Sequence, residues 1–347
     1  MTKTLDLFKP DNHLIDAPGA YTKEMDDFPK PPYIAVFERD GKKLLYMAET
    51  HRSVESFNMV NASFKQGPMP GAFVVEYENA GRKLHDLDEL APKIKLYQKL
   101  SGIMKLGNTP KTISEQNMLN TLGYGAAMAK QHGVPVVLAG MSSDDRQSAL
   151  NEMCPGYKID IHAAVMATPN TGNTNMMAAL GVQILNRLNE IYPDYKFDVQ
   201  KLRYIFEAGR GQNAGDDISK LFRPNMVQAW NETFPDLPID IHGIDKILDS
   251  DQVKGFEFLK QNPDTYYKMT QQYRDPYMLD KISDALNQYD TVWAMFGEGH
   301  FRSQYKNLVK WMGKPKYFIE YASGDHSDTS DRPDIIQYKI KNQMERE

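Results

Sequence analysis

The chain has 347 residues, 41% hydrophobic and 25% charged, with 41 Lys and Arg against 46 Asp and Glu and a formal net charge of −5. That is an ordinary globular composition, long enough for one large core or two modest ones, and it lacks the basic excess of a nucleic-acid-binding protein. The single Cys154 excludes an intramolecular disulfide and fits a reducing compartment, and no apolar run approaches the roughly 18 residues of a membrane span.

Charged residues between Met1 and Asn12 stand where a signal peptide would carry its apolar centre, so a cytoplasmic location is expected. Pro10, Pro18, Pro29, Pro31 and Pro32 break any ladder over residues 1–32, which reads as an N-terminal arm on the surface. The first part of the core, 33–154, opens with a strand at Tyr33–Glu38, a two-residue turn at Asp40-Gly41 and a returning strand at Lys43–Met47. Ser53 is placed to cap a helix over Val54–Phe64, Met69-Pro70-Gly71 breaks the chain, and Ala72–Tyr77 reads as a short strand. Helices are predicted at about 86–103 and 112–132, the second with Thr112 and Glu115 at capping-box spacing and Gly133 as its C-cap. Val134–Ala139 is a continuous apolar run, the pattern of a strand buried on both faces.

The stretch 155–265 is helical, with helices expected at 175–191, 198–207 and 216–231 and joints rich in Asn, Gly and Pro. It reads as a helical insertion or lid, without a solenoid-type repeat. The core resumes over 266–321 with a helix at Pro276–Gln288, a strand at Tyr289–Phe296, a helix at Arg302–Met312 and a strand at Lys316–Tyr321. A polar loop and an amphipathic tail complete residues 322–347. The alternation of strands and helices predicts an α/β fold: a mixed, mostly parallel sheet flanked by helices, with a largely helical inserted lobe.

Two stretches share one pattern. Leu44-Leu45-Tyr46-Met47-Ala48-Glu49-Thr50-His51 and Val292-Trp293-Ala294-Met295-Phe296-Gly297-Glu298-Gly299-His300 each run from an apolar strand into small residues, a glutamate and a histidine. Ligands bind at the carboxyl ends of strands in open α/β sheets, so one site built from both ends of the chain is expected. His51 and His300 are candidates for metal ligation or acid–base work; capping of the following helix is the structural alternative. Glu76 interrupts the apolar strand Phe73-Val74-Val75-Glu76-Tyr77, where a carboxylate needs a metal, a proton or a cation unless it faces solvent. Glu49 and Glu298 are either further site carboxylates or acids stabilising helix N-termini. Arg274 has the planar fork that holds a substrate carboxylate or a developing oxyanion.

Weaker signals are the glycines around Gly209-Arg210-Gly211 and Gly215, which resemble a phosphate loop but precede Asp216-Asp217, and the acids Asp144-Asp145. His162 and His242 stand in matching Ile-Asp-Ile-His stretches and read as structural. There is no Gly-x-Ser-x-Gly elbow, His-Glu-x-x-His helix or Cys-x-x-Cys pair.

The order Glu49-x-His51, Glu76 within a strand, Arg274 before a helix and Gly297-x-x-His300 resembles the TraB/TIKI superfamily, which includes the erythromycin esterases and the ChaN-like haem-binding lipoproteins. The second motif fits in full; the first carries Ala48 where glycine is usual. The likeness covers about 33–80 and 266–320. It implies an α/β fold with both motifs around one cleft, and members that act as metal-dependent peptidases, as esterases activating water, or as binders without turnover. Carried over by position, His51, Glu76, Arg274 and His300 are the site residues.

The expected function is therefore a hydrolase acting on a peptide or small-molecule ester. His51, His300 and Glu76 either bind one divalent metal, whose identity is unknown, or share the activation of a water, with Glu49 nearby and Arg274 stabilising negative charge. The rival expectation is non-catalytic capture of haem or a peptide in the same cleft, for which the 19 Tyr and 19 Met offer lining.

Overall fold

A computed structural model describes residues 10–15, 25, 28–50, 53–78, 121–168, 176–211, 218–321 and 338–342. The chain divides into two compact units, one formed by Met1–Ser142 with Gln271–Glu347 and the other by Ser143–Thr270. Among the described residues, no helix is long and apolar enough to cross a membrane.

In the first unit, strands β1 (Tyr33–Arg39) and β2 (Lys42–Glu49) form a hairpin in which Tyr33 faces Ala48 and Arg39 faces Lys42. Its two turn residues, Asp40 and Gly41, have φ of 50° and 82°, the left-handed pair that a tight hairpin turn requires. Helix α1 (Val54–Gln66) starts at Ser53, whose side chain accepts from the backbone N–H of Ser56. Strand β3 (Ala72–Glu78) and helix α2 (Thr121–Gln131) follow, then Gly133 at φ 71° and strand β4 (Val136–Gly140). The predicted helix at 86–103 and the Thr112–Glu115 capping box lie outside the described residues.

The second unit carries helices α3 (Ser143–Met153), α4 (Ile161–Met166), α5 (Met176–Ile191), α6 (Val199–Gly209), α7 (Arg223–Thr233), α8 (Ile241–Leu248), α9 (Asp251–Gln261) and α10 (Thr265–Met269). The chain returns to the first unit through helix α11 (Asp275–Gln288), strand β5 (Thr291–Gly297), helix α12 (Glu298–Met312), strand β6 (Tyr317–Tyr321) and strand β7 (Tyr338–Asn342).

The described strands form one sheet in the order β4-β3-β5-β2-β1-β6-β7. The neighbours β4-β3, β3-β5 and β5-β2 are parallel, and β1 and β7 run against the rest, so five strands point one way. This is the mixed, mostly parallel α/β sheet that the sequence predicts. Strand alternation divides its core in two. Ala35, Phe37, Leu44, Tyr46, Val74, Ala294 and Phe296 pack with Leu279, Ile282, Phe301 and Leu308 of α11 and α12. Val36, Leu45, Met47, Phe73, Val75, Trp293 and Met295 pack with Phe57, Val60, Phe64 and Ala126 of α1 and α2. Each buried Val, Leu, Ile, Met or Phe among them contributes about 1.5–3 kcal/mol relative to exposure.

Several expectations change. Ile15, Met25 and Phe28 of the proline-rich arm are buried, and the Phe28 ring lies 4.7 Å from that of Tyr305 and 5.5 Å from those of Phe301 and Phe318. The described part of the arm includes a 3-10 turn at Asn12–Leu14, and the prolines do not prevent burial of the apolar residues between them. Strand β4 is the sheet's edge among the described strands, with Val136, Val137 and Leu138 only half-buried, so its apolar run reports an edge strand, not a doubly covered one. Residues 338–342 of the tail form β7, paired with β6. Helix α12 begins at Glu298, four residues earlier than predicted, because Gly297 and Gly299 mask the start.

The second unit also contains a repeat that its overall periodicity hides. Asn151-Glu152-Met153-Cys154-Pro155-Gly156-Tyr157-Lys158-Ile159-Asp160-Ile161-His162 is echoed by Asn189-Glu190-Ile191-Tyr192-Pro193-Asp194-Tyr195-Lys196-Phe197-Asp198-Val199-Gln200 and by Asn231-Glu232-Thr233-Phe234-Pro235-Asp236-Leu237-Pro238-Ile239-Asp240-Ile241-His242. The three copies have one geometry. Helices α3, α5 and α7 end at Met153, Ile191 and Thr233, and the N–H of Cys154, Tyr192 and Phe234 then bonds the carbonyl four residues back at 3.0, 2.8 and 2.7 Å. A tight turn closes with Tyr157 to Cys154, Tyr195 to Tyr192 and Leu237 to Phe234 at 3.1, 3.1 and 2.9 Å. Asp160, Asp198 and Asp240 are the N-caps of α4, α6 and α8. Among the described residues the unit thus contains three helix–turn–helix junctions of one geometry, which do not amount to a solenoid-type repeat. Only the turn is shared and the spacing varies from 38 (151 to 189) to 42 (189 to 231), so no fixed period is visible.

Candidate functional site

The register of the sheet sets up the site. Strands β2 and β5 are parallel with Glu49 opposite Gly297, and β3 lies on the other side of β5 with Val75 opposite Met295. The carboxyl ends of β3, β5 and β2 are therefore neighbours, and both motifs leave the sheet at one edge. Alternation points Glu76 to the side covered by α11 and α12, in phase with Ala72 and Val74.

There Glu76, its side chain 7% exposed, meets three groups. Arg274 Nη2 donates to Oε1 in an ion pair, His300 Nε2 lies 3.3 Å from the same oxygen, and the backbone N–H of Gly297 donates to Oε2 at 3.3 Å. Arg274 is the last residue of a π-helical stretch, Thr270–Arg274, that leads directly into α11; such wide turns recur at functional sites. On the other side of the imidazole, His300 Nδ1 lies 2.7 Å from Asp275 Oδ1. Asp275 has no exposed surface and accepts two further bonds, from Ser303 Oγ at 2.7 Å and Gln304 Nε2 at 2.8 Å. Gln304 Oε1 accepts from the Tyr46 hydroxyl at 3.0 Å. His300, Ser303 and Gln304 stand at i, i+3 and i+4 on α12, so one helix face presents all three to the first turn of α11.

Electrostatics follow from this packing. Burial opposes charge on His300, but the carboxylates of Glu76 and Asp275 outweigh it, with Arg274 opposing them in part, and the imidazole is pushed up to about 10. At neutral pH His300 is an imidazolium held between two carboxylates. Burial first, then the carboxylates of Asp275 and Glu76, raise the Tyr46 phenol well above its usual range, so it remains a donor.

The other sequence candidates fall elsewhere. Glu49 is 1% exposed, but alternation sends it to the opposite side of the sheet, where it accepts from Thr121 Oγ1 of α2. Glu298 pairs with Arg302 one turn along α12, and the Arg302 guanidinium lies 5.9 Å from the centre of the Phe28 ring. His51 lies outside the described residues. Asp144 and Asp145 occupy the first turn of α3. His162 and His242 are exposed in the second position of α4 and α8, as parts of the repeated helix start. Gly209 closes α6, and its carbonyl accepts from the Phe222 N–H; Gly215 lies outside the described residues.

Asp275 is the residue that the sequence reading passed over. Its signal was its place beside Arg274 at a helix start, where an acid is ordinarily read as a partner of the helix dipole.

A tetrahedral zinc with bonds of about 2.0–2.1 Å would hold its ligand atoms about 3.3 Å apart, which is close to the separation of His300 Nε2 and Glu76 Oε1. Arg274 already brings a cation to the same oxygen. Among the described residues no three His, Cys, Asp or Glu side chains form a metal-binding group, and His51, the third expected ligand, lies outside them. Without a metal, Glu76, Arg274, His300 and Asp275 form an ion-paired cluster.

Compared with protein-family models, with curated proteins and with solved structures, the chain matches none.

Proposed function

We propose that the chain is a hydrolase that cleaves an ester or peptide bond by activating water at the Glu76–His300 pair. The observation that carries this reading is the convergence of Glu76, Arg274 and His300 at the carboxyl edge of β3 and β5. Glu76 is the base: its carboxylate takes a proton from water as the water oxygen attacks the carbonyl carbon. His300 is the acid: its Nε2–H goes to the leaving oxygen or nitrogen as that bond breaks. The proton on Glu76 then returns to Nε2 over the 3.3 Å between them, which restores the starting state. Arg274 supplies the electrostatic part. Once Glu76 is neutralised, its hold on the guanidinium weakens as the oxyanion develops, and Arg274 stabilises the charge on the reacting carbonyl.

The resemblance to the TraB/TIKI superfamily agrees with this reading in residue type and order. The experiment is a panel of p-nitrophenyl esters and fluorogenic peptides assayed with the wild type and Glu76→Asp, which keeps the charge but withdraws the carboxylate by one methylene. Turnover that falls about 100-fold or more in the variant is the expected result. Absence of turnover across the panel together with a Soret band on haem titration would replace the hydrolase with a capture protein.

A further inference from the structure

We infer that Asp275 is the positioning residue of this site: it holds the proton of His300 on Nδ1 and aims Nε2 at Glu76, within a buried chain that begins on strand β2. The inference rests on the hydrolase reading for its catalytic consequence, but not for its geometry.

The carboxylate of Asp275 is fully buried and is offered three donors: His300 Nδ1 at 2.7 Å, Gln304 Nε2 at 2.8 Å and Ser303 Oγ at 2.7 Å. A carboxylate has only acceptor sites, so an imidazole nitrogen within bonding distance of it must carry the hydrogen. That leaves Nε2 as the nitrogen that can exchange a proton with Glu76. The carboxylate cannot turn to relax this choice. Both its oxygens are engaged, and the Gln304 amide is itself oriented because its Oε1 accepts from the Tyr46 hydroxyl at 3.0 Å. A phenol donating to Oε1 leaves the amide NH2 facing Asp275. Tyr46 sits in the core of β2, three residues before Glu49 at the carboxyl end of that strand. The chain Tyr46–Gln304–Asp275–His300 therefore fixes the imidazole of the second motif from the strand that leads into the first. It is the logic of an acid that orients a catalytic imidazole and sets its tautomer.

The test uses the full chain with 15N-labelled histidine. In wild type, a protected downfield Nδ1–H resonance, assigned by its loss in His300→Gln, is expected. In Asp275→Ala the acceptor at Nδ1 is gone and the hydrogen there is no longer held, so that resonance should disappear. With p-nitrophenyl acetate as probe, kcat should fall about 100-fold while KM changes little. Tyr46→Phe removes only the outermost link; it should keep the resonance but shift it, and lower kcat several-fold. It supplies the answer if Asp275→Ala does not fold. A His300 resonance unchanged in Asp275→Ala, or unmoved in Tyr46→Phe when Asp275→Ala fails to fold, would overturn the proposal. If the wild type does not turn over the ester, the hydrolase reading with this probe fails, and the resonance alone decides the role of Asp275.

Discussion

Aspartate and histidine recur together in two parts of this chain, with different consequences. In the second unit, Asp160 and His162 stand two residues apart, and the carboxylate Oδ1 accepts from the backbone N–H of His162 at 2.8 Å while the imidazole is exposed. Asp240 and His242 repeat the arrangement, with Gly243 N–H as the donor to Asp240 at 2.8 Å. In the first unit, Asp275 and His300 stand 25 residues apart, and their side chains meet directly at 2.7 Å in the core. The first arrangement is local and solvated; it starts a helix. The second is long-range and desolvated; it fixes a proton. Residue type does not separate the two roles, but partner and burial do.

Substitutions can break or sharpen that contrast, and the largest effects belong to the buried cluster. Glu76→Asp and Asp275→Asn should each reduce turnover about 100-fold or more in the ester assay, whereas His162→Ala and His242→Ala should leave it within about two-fold. Glu76→Gln also tests stability, because it leaves Arg274 and the imidazolium of His300 without their shared counter-charge. Losing one partner of a buried pair costs about 3–5 kcal/mol, so chemical denaturation should show an early midpoint.

pH separates the two kinds of histidine next. The folded state holds the His300 proton more tightly than the unfolded chain does, since its pKa rises from the ordinary 6.5 to about 10. Its contribution to stability is therefore complete below about 6.5, shrinks as pH rises, and is gone above about 10. The melting temperature of wild type should fall relative to that of His300→Gln over this interval; parallel curves would show that His300 holds no such proton. The smallest effects are expected in the repeated turns. Asp198→Ala and Asp240→Ala should each remove about 1 kcal/mol of stability through the lost cap, with no change in turnover.

Much of the sheet was legible from local chemistry. Asp40-Gly41 specifies its hairpin because both residues must accept positive φ, and Ser53 marks the start of α1 because its hydroxyl satisfies an orphan N–H. The apolar runs mark the strands, and their alternation reports which side each residue faces. By the same alternation Glu49 and Glu76 differ, since one is in phase with Leu45 and Met47 and the other with Val74. Shared motif position suggested a common role for Glu49 and Glu298, but the strand's period of two sends Glu49 to Thr121 and helix geometry gives Glu298 to Arg302.

What the sequence determined by itself is therefore what rests on near neighbours: the turns, the helix starts, the strand–motif units that carry Glu49 and His300, and the unusual placement of a carboxylate at position 76. The tertiary structure alone decided the strand order that makes β3, β5 and β2 neighbours and the packing of α11 against α12 that turns Asp275 from a helix-start acid into the partner of His300. The physical reason is range. Local hydrogen bonds and dihedral preferences act over a few residues and leave a mark in spacing, whereas the field that charges His300 arises from carboxylates 25 and 224 positions away (275 to 300 and 76 to 300), which come close only when the sheet and its helices are assembled.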